Sequence, residues 1–144
     1  MRINLCRERI GLKCGMDVSV ACPEGYDPDP VVLDFAKSAA DSRFELVRSP
    51  ADAVAGADVV ITDVWASMGQ EEERAIRARA FAGYCVDEAL MKLANPGCMV
   101  QHCLPAHKGE EISAQVFEDH ADEIFEEAEN RLHAQKAVLY LLMK

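Results

Sequence analysis

The stretch Val59-Val60-Ile61-Thr62-Asp63-Val64-Trp65-Ala66-Ser67-Met68-Gly69-Gln70-Glu71-Glu72-Glu73 decides the fold. It opens as a short β-branched apolar run, the pattern of a buried strand. A carboxylate, Asp63, stands where that strand ends, and the only tryptophan, Trp65, follows. Ser67-Met68-Gly69 is a small, flexible connection. Gln70 and three glutamates then open a predicted helix, where negative charge suits the N-terminal end of the helix dipole. In open α/β sheets, a strand that ends in a polar loop leading to a helix N-terminus is where small molecules bind. Asp63 can take an ammonium group, and Ser67 with free backbone N–H groups can take polar or anionic parts. Such a set suits a zwitterion such as an amino acid. The competing reading is structural: a core strand followed by a helix that Asp63 or Ser67 caps.

Upstream, apolar residues at 3, 6, 10 and 14 have helical spacing, and Gly15 suits the position just past a helix end. Residues 17–22 alternate and read as a strand. Residues 23–30 form a turn-rich loop, with Asp29 as cap and Pro30 as first residue of a helix to about residue 41. Residues 44–47 are a second strand, and Ser49-Pro50 opens a short helix closed by Gly56. Downstream, a charged helix spans 70–80, with Glu73 and Arg77 as an i,i+4 pair. Asp87 caps a short helix, Asn95-Pro96-Gly97 is a turn, and residues 98–101 are a strand. Ser113 caps a small helix through Phe117. The last helix runs from about 125 to 142, and its end, 137–143, is apolar nearly all round and should pack on more than one side. Strands alternating with helices imply an α/β domain: a Rossmann-like, doubly wound, mostly parallel sheet of about four strands with flanking helices. Such a unit normally begins with a strand. Here a helix comes first, so either the first strand is missing or the sheet is rearranged.

The length of 144 residues is that of one domain, and half of it is apolar, enough for a real core. A net charge of −10 argues against nucleic acid and anionic membranes as main partners. No apolar run approaches the ~20 residues of a membrane span. The first nine residues are too charged for a signal peptide, so a cytoplasmic protein is expected. The six cysteines, Cys6, Cys14, Cys22, Cys85, Cys98 and Cys103, contain no C-x-x-C pair and read as reduced, mostly buried thiols. Cys98, His102, Cys103 and His107 match no standard zinc spacing, and no metal is expected.

A second polar segment, Gln101 to Glu111, also follows a strand and should share a sheet edge with Asp63. Its Leu104-Pro105 bond is a candidate for a cis peptide. The carbonyls of Cys103 and Leu104 can accept from an amine or amide. Cys103 is either a nucleophile with His102 or His107 as its base, or a buried thiol beside a polar loop. Against the first reading, adjacent residues of one strand point to opposite faces, and no acid partner is evident. A third segment, Glu126 to Lys136, gathers Arg131, His133, Gln135 and Lys136 in an otherwise acidic chain. Arg131 either clamps a phosphate or carboxylate or belongs to a solvated helix face.

Together these segments carry a resemblance. Asp63-Val64-Trp65-Ala66-Ser67-Met68-Gly69, His102-Cys103-Leu104-Pro105-Ala106-His107-Lys108-Gly109-Glu110-Glu111 and the run from Glu127 to Ala137 resemble signature segments of the ornithine carbamoyltransferases. Gly15-Met16-Asp17 and Gly25-Tyr26-Asp27-Pro28 also fit. The D-x-x-x-S-M-G segment points to the ornithine enzymes rather than the aspartate ones. The resemblance implies transfer of a carbamoyl group from carbamoyl phosphate to the δ-amine of ornithine, giving citrulline and phosphate, with no cofactor. Asp63, Ser67 and Met68 would hold ornithine. Cys103 and Leu104 would lie at the reacting amine and carbamoyl group, and Arg131 would bind carbamoyl phosphate. Cys103 is then a positioning residue.

The resemblance covers only the second, ornithine-binding domain of that family, over residues 1–144. The first domain supplies a Ser-Thr-Arg-Thr phosphate loop and a histidine-proline segment, and neither is in this sequence. The second domain normally opens with a strand ending in Gly-Asp-Gly-Asn-Asn, which the register would put near Met1-Arg2. Lys108 stands where arginine is usual. A phosphate half-site makes several charge-assisted hydrogen bonds, each worth roughly 1.5–3 kcal/mol, so without one the chain alone is expected to be inactive. Alternatives are a non-catalytic amino-acid-binding or regulatory module and a decayed remnant. A missing central strand would leave unpaired edges at 17–22 and 57–62, which would pair directly, stay exposed, or be covered by a homo-oligomer or a partner chain. The isolated chain is therefore expected to be marginally stable or self-associating. Sedimentation and thermal melting check this, and a monomer with a sharp, high-temperature melt would contradict it.

Overall fold

The computed structural model describes residues 5–38, 42–66 and 73–144. Four short strands alternate with helices: α1 (Leu5–Lys13), β1 (Val18–Ala21), α2 (Pro30–Ser38), β2 (Phe44–Val47), α3 (Pro50–Val54) and β3 (Val59–Thr62). Then come α4 (Arg74–Ala80), α5 (Glu88–Met91), β4 (Met99–His102), α6 (Ala114–Asp119) and α7 (Ala121–Leu142). The order is the expected α/β order, and the local chemistry sets most boundaries. Gly15 takes a left-handed φ of 78° and ends α1. Asp29 accepts the Val31 N–H at the start of α2. Ser49, Asp87 and Ser113 accept the N–H groups of Asp52, Leu90 and Val116, capping α3, α5 and α6.

The four strands pair in parallel, but as two separate pairs. Val18 of β1 lies opposite Phe44 of β2, and Val59 of β3 lies opposite Met99 of β4. Among the described residues the strands do not form a single four-stranded sheet: β1 and β3 do not pair. Instead they flank one cleft of about 190 Å³, lined by Ser19 and Ala21 on one side and by residues 59–65 on the other. The direct pairing considered from the sequence is thus absent, and the break falls between the two strands expected to bear open edges.

The main core lies under β3 and β4. Val60 and Val100 pack with Val54, Val86, Cys98, Ile112, Val116, Phe117 and Ile124. A smaller set, Leu12, Cys22, Val32 and Ala36, is buried beside β1 and β2. Helix α3 packs on β1 and β2, and α7 packs on β4. Two features depart from the sequence reading. Helix α7 starts at Ala121 rather than about 125, so Ile124 falls in its first turn and is fully buried. Its apolar end is not packed: Val138 to Met143 are all exposed.

Replacing Ile124 with alanine should cost about 2–5 kcal/mol, because a buried branched side chain leaves a cavity where α7 meets the core. Replacing exposed Ile76 should change stability by no more than about 0.5 kcal/mol. Urea unfolding midpoints measure both.

Candidate functional site

The β3–β4 register builds the site. Thr62 lies opposite His102, so the residues that follow, Asp63 and Cys103, leave the two strands side by side. The Cys103 thiol donates to Asp63 Oδ1 at 3.0 Å. The Val64 N–H donates to the same oxygen at 2.8 Å. The other carboxylate oxygen, Asp63 Oδ2, is buried and has no hydrogen-bond partner among the described residues. Asp63 also lines the cleft between the strand pairs. A desolvated carboxylate oxygen without a donor is costly unless a cation or donor comes to it. The geometry can therefore hold an ammonium group. It suits a covalent cysteine poorly, because the thiol hydrogen is engaged by a carboxylate rather than by a histidine.

The next layer fixes Cys103 and Leu104. His102 is fully buried and points away from Cys103, as strand alternation requires. Its Nδ1 accepts the Leu104 N–H at 2.9 Å, so its proton sits on Nε2, which donates to Glu111 Oε1 at 3.1 Å. Glu111 Oε1 also accepts the His107 N–H at 2.6 Å. Burial pushes the Glu111 carboxyl up, but hydrogen bonds from His102, the His107 N–H and its own N–H hold it below the usual carboxylate range. Leu104 takes a φ of 52°, rare for a branched residue, and its N–H bond to His102 holds that conformation. The Leu104-Pro105 bond is cis, the form considered from the sequence.

A third group holds the segment after Asp63. Arg77 is buried and donates to the Trp65 carbonyl at 3.4 Å and to Glu73 Oε2 at 2.8 Å. The Glu73–Arg77 pair is the one expected, but its arginine is inside, with its guanidinium 5.4 Å from the Tyr26 ring centre. Phe81 stacks on Trp65 and meets Tyr26 and Tyr84 edge-on.

Of the residues singled out in the sequence, Asp63, Cys103 and Leu104 come together. Ser67 and Met68 lie outside the described residues. Arg131 is exposed on α7, about 10 Å along the helix axis beyond Ile124 at 1.5 Å per residue. Sequence reading missed Glu111, His102 as its partner, and the inward turn of Arg77. A glutamate at the end of a motif that begins with histidine was the available signal for the first pair. Cys98, His102, Cys103 and His107 do not form a metal cluster. Among the described residues, the group whose ligand atoms lie close enough is His107, Glu110 and Glu111, and Glu110 is already paired with Arg74. Of the described thiols, Cys22 and Cys98 are buried, Cys85 and Cys103 half-buried and Cys14 exposed, and all are unbridged. Burial pushes the Cys22, Cys85 and Cys98 thiols up, which keeps them protonated.

Asp63 and Cys103 stand at adjacent strand ends, the place where open α/β sheets in general bind small molecules. The chain belongs to the aspartate/ornithine carbamoyltransferase family, whose Asp/Orn binding domain model matches residues 4–142. It is 55% identical over 130 residues to an ornithine carbamoyltransferase of Geobacter metallireducens, covering 90% of this chain and 43% of that protein. With that of Parasynechococcus marenigrum it shares 54% over 135 residues, 92% of this chain and 42% of the relative. Among solved structures, the anabolic ornithine carbamoyltransferase of Campylobacter jejuni superposes with a TM-score of 0.88 at 40% identity, covering 96% of this chain and 46% of that one. The Pyrococcus furiosus enzyme superposes at 0.86 with 48% identity, covering 94% and 44%. The chain thus spans less than half the length of the relatives it matches. No described helix is long and apolar enough to cross a membrane.

Because Glu111 is held below its ordinary value, its contribution to stability is full above the unfolded carboxylate value and is lost as pH falls through the folded one. Glu111→Gln should lower stability at pH 7 by about 1.5–3 kcal/mol, the worth of a charged hydrogen bond, with a difference that shrinks toward pH 3. Urea titrations across pH measure this, and a pH-independent difference would contradict it.

Proposed function

We propose that this chain is the amino-acid-binding half of an ornithine carbamoyltransferase, taking L-ornithine at the ends of β3 and β4. The observation that carries the reading is the buried oxygen of Asp63 that has no partner among the described residues, placed beside Cys103. Asp63 holds an ammonium group, the α-amine by the family resemblance. Ser67 and Met68 complete the grip on the amino-acid end. Cys103 and Leu104 position the δ-amine and the carbamoyl group, and the thiol is not a covalent nucleophile. In the reaction, the δ-amine attacks the carbonyl carbon of carbamoyl phosphate, and the tetrahedral intermediate expels phosphate. Arg131 stabilises charge developing on the carbamoyl phosphate oxygens once a phosphate-binding domain brings that substrate to it. Without such a domain, the chain binds ornithine and does not turn it over. The role is cytoplasmic, in arginine metabolism.

A second reading, a non-catalytic amino-acid-binding module, draws on the exposed position of Arg131 out along α7. The two separate in one set of experiments. Calorimetry should show L-ornithine binding that weakens roughly tenfold to a hundredfold in Asp63→Asn and with N-acetyl-L-ornithine, since each removes one charge from a buried pair. Equal binding of both ligands would contradict the role of Asp63. Citrulline formed only when a phosphate-binding domain is supplied supports the half-enzyme reading. Ornithine binding without such rescue supports the module, and citrulline from the chain alone contradicts its inactivity.

A further inference from the structure

The loop that returns from Pro105 to α6 gathers three ligating side chains, and its backbone explains how they meet. His107-Lys108-Gly109-Glu110 is a turn: the Glu110 N–H donates to the His107 carbonyl at 2.9 Å, and Gly109 takes a φ of 91°, which glycine adopts without strain. Glu111 comes next and is anchored from behind. Its carbonyl accepts the Val86 N–H at 3.0 Å and the Thr62 hydroxyl at 3.2 Å. Its Oε1 accepts from His102 and from the His107 N–H. One ligand atom from each of His107, Glu110 and Glu111 lies within 4.8 Å of the other two.

An acidic cluster alone would say little, because solvated carboxylates often stand close together. Glu111 is different. It is fully buried, and its Oε2 has no hydrogen-bond partner among the described residues. That oxygen faces His107 Nδ1 at 3.8 Å, too far for a hydrogen bond. Two atoms bound to one tetrahedral zinc at about 2.0 Å lie about 3.3 Å apart, so the observed spacing is close to that of two ligands sharing an ion. Glu110 is the adjustable member, half-buried at the loop surface. Arg74 engages its Oε1, an outer contact that orients the carboxylate and leaves Oε2 to serve as a ligand.

We infer that His107 Nδ1, a Glu110 oxygen and Glu111 Oε2 form a site for one divalent transition-metal ion. The donor set selects the class. Imidazole nitrogen favours zinc, iron or cobalt over magnesium and calcium, and two carboxylates disfavour a soft ion such as copper(I). A neutral imidazole and two carboxylates bring a charge that a divalent ion neutralises, which is what a desolvated carboxylate oxygen requires. The bound ion ties the turn to Glu111, and through Glu111 to His102 and Leu104. The inference does not rest on ornithine binding, and its test contains no ornithine.

Cobalt(II) is the probe, because its absorption spectrum distinguishes the ligand types around it. Titrated into reduced, metal-free protein, it should bind as one ion per chain. It should give visible d–d absorption without the charge-transfer band of a cobalt–thiolate bond, a necessary check in a chain with exposed Cys14. Zinc should displace it, and magnesium should not. His107→Ala and Glu110→Gln should each weaken binding by about tenfold or more. Their side chains are 40% and 32% exposed, so both variants should unfold near the parent's urea midpoint, which separates lost binding from lost fold. A thiolate band would put the ion on cysteine, and unchanged affinity in both variants would put it on the acidic surface at large. No binding at about 1 mM cobalt would leave Glu111 Oε2 to water. Each of these three results would overturn the inference.

Discussion

Thr62 faces His102 across the parallel β3–β4 pair, and that register carries the next two side chains, Asp63 and Cys103, to 3.0 Å. A slip of one residue would send Asp63 to the other face and break the contact. The core beneath the strands makes such a slip costly, because Val60 and Val100 are both buried in it. Packing of apolar side chains thus sets the position of a polar pair that takes no part in the packing.

The polar support behind this pair is unusual for being fully buried. His102 and Glu111 have no exposed surface, and together they tie the end of β4 to the loop that returns after Pro105. A neutral histidine donating to a carboxylate is less costly to bury than a full ion pair, because only one charge is desolvated. The arrangement fixes Leu104 in a conformation it would otherwise avoid. Arg77 does the equivalent for the segment after Asp63 through the Trp65 carbonyl, with its guanidinium over the Tyr26 ring and Phe81 stacked on Trp65. Two strand ends are therefore each pinned by one buried charged residue drawn from elsewhere in the chain.

Much of the fold was legible because it is local. Ser49, Asp87 and Ser113 cap the helices whose starts they mark, and the β-branched run at 59–62 is the strand it resembles. The α/β class followed from the alternation of elements. Long-range features were not legible. Arg77 looked like half of a surface i,i+4 pair, and nothing local shows that Tyr26, fifty-one positions away, would cover it. Glu111 looked like part of a polar loop, since its burial depends on His102 arriving on a different element. The apolar end of α7 was readable as apolar, but periodicity does not say whether anything covers it, and among the described residues nothing does. For the site, Asp63 and Cys103 were found by motif and brought together by register, while Arg131 stands apart from them on α7.

The proposal that Asp63 and Cys103 form one ornithine-binding site is tested most directly by alkylation of Cys103 with iodoacetamide, followed by mass spectrometry with exposed Cys14 as internal reference. L-ornithine should slow alkylation at Cys103 but not at Cys14, and Asp63→Asn should abolish this protection. Equal rates at Cys103 with and without ornithine would contradict a shared site.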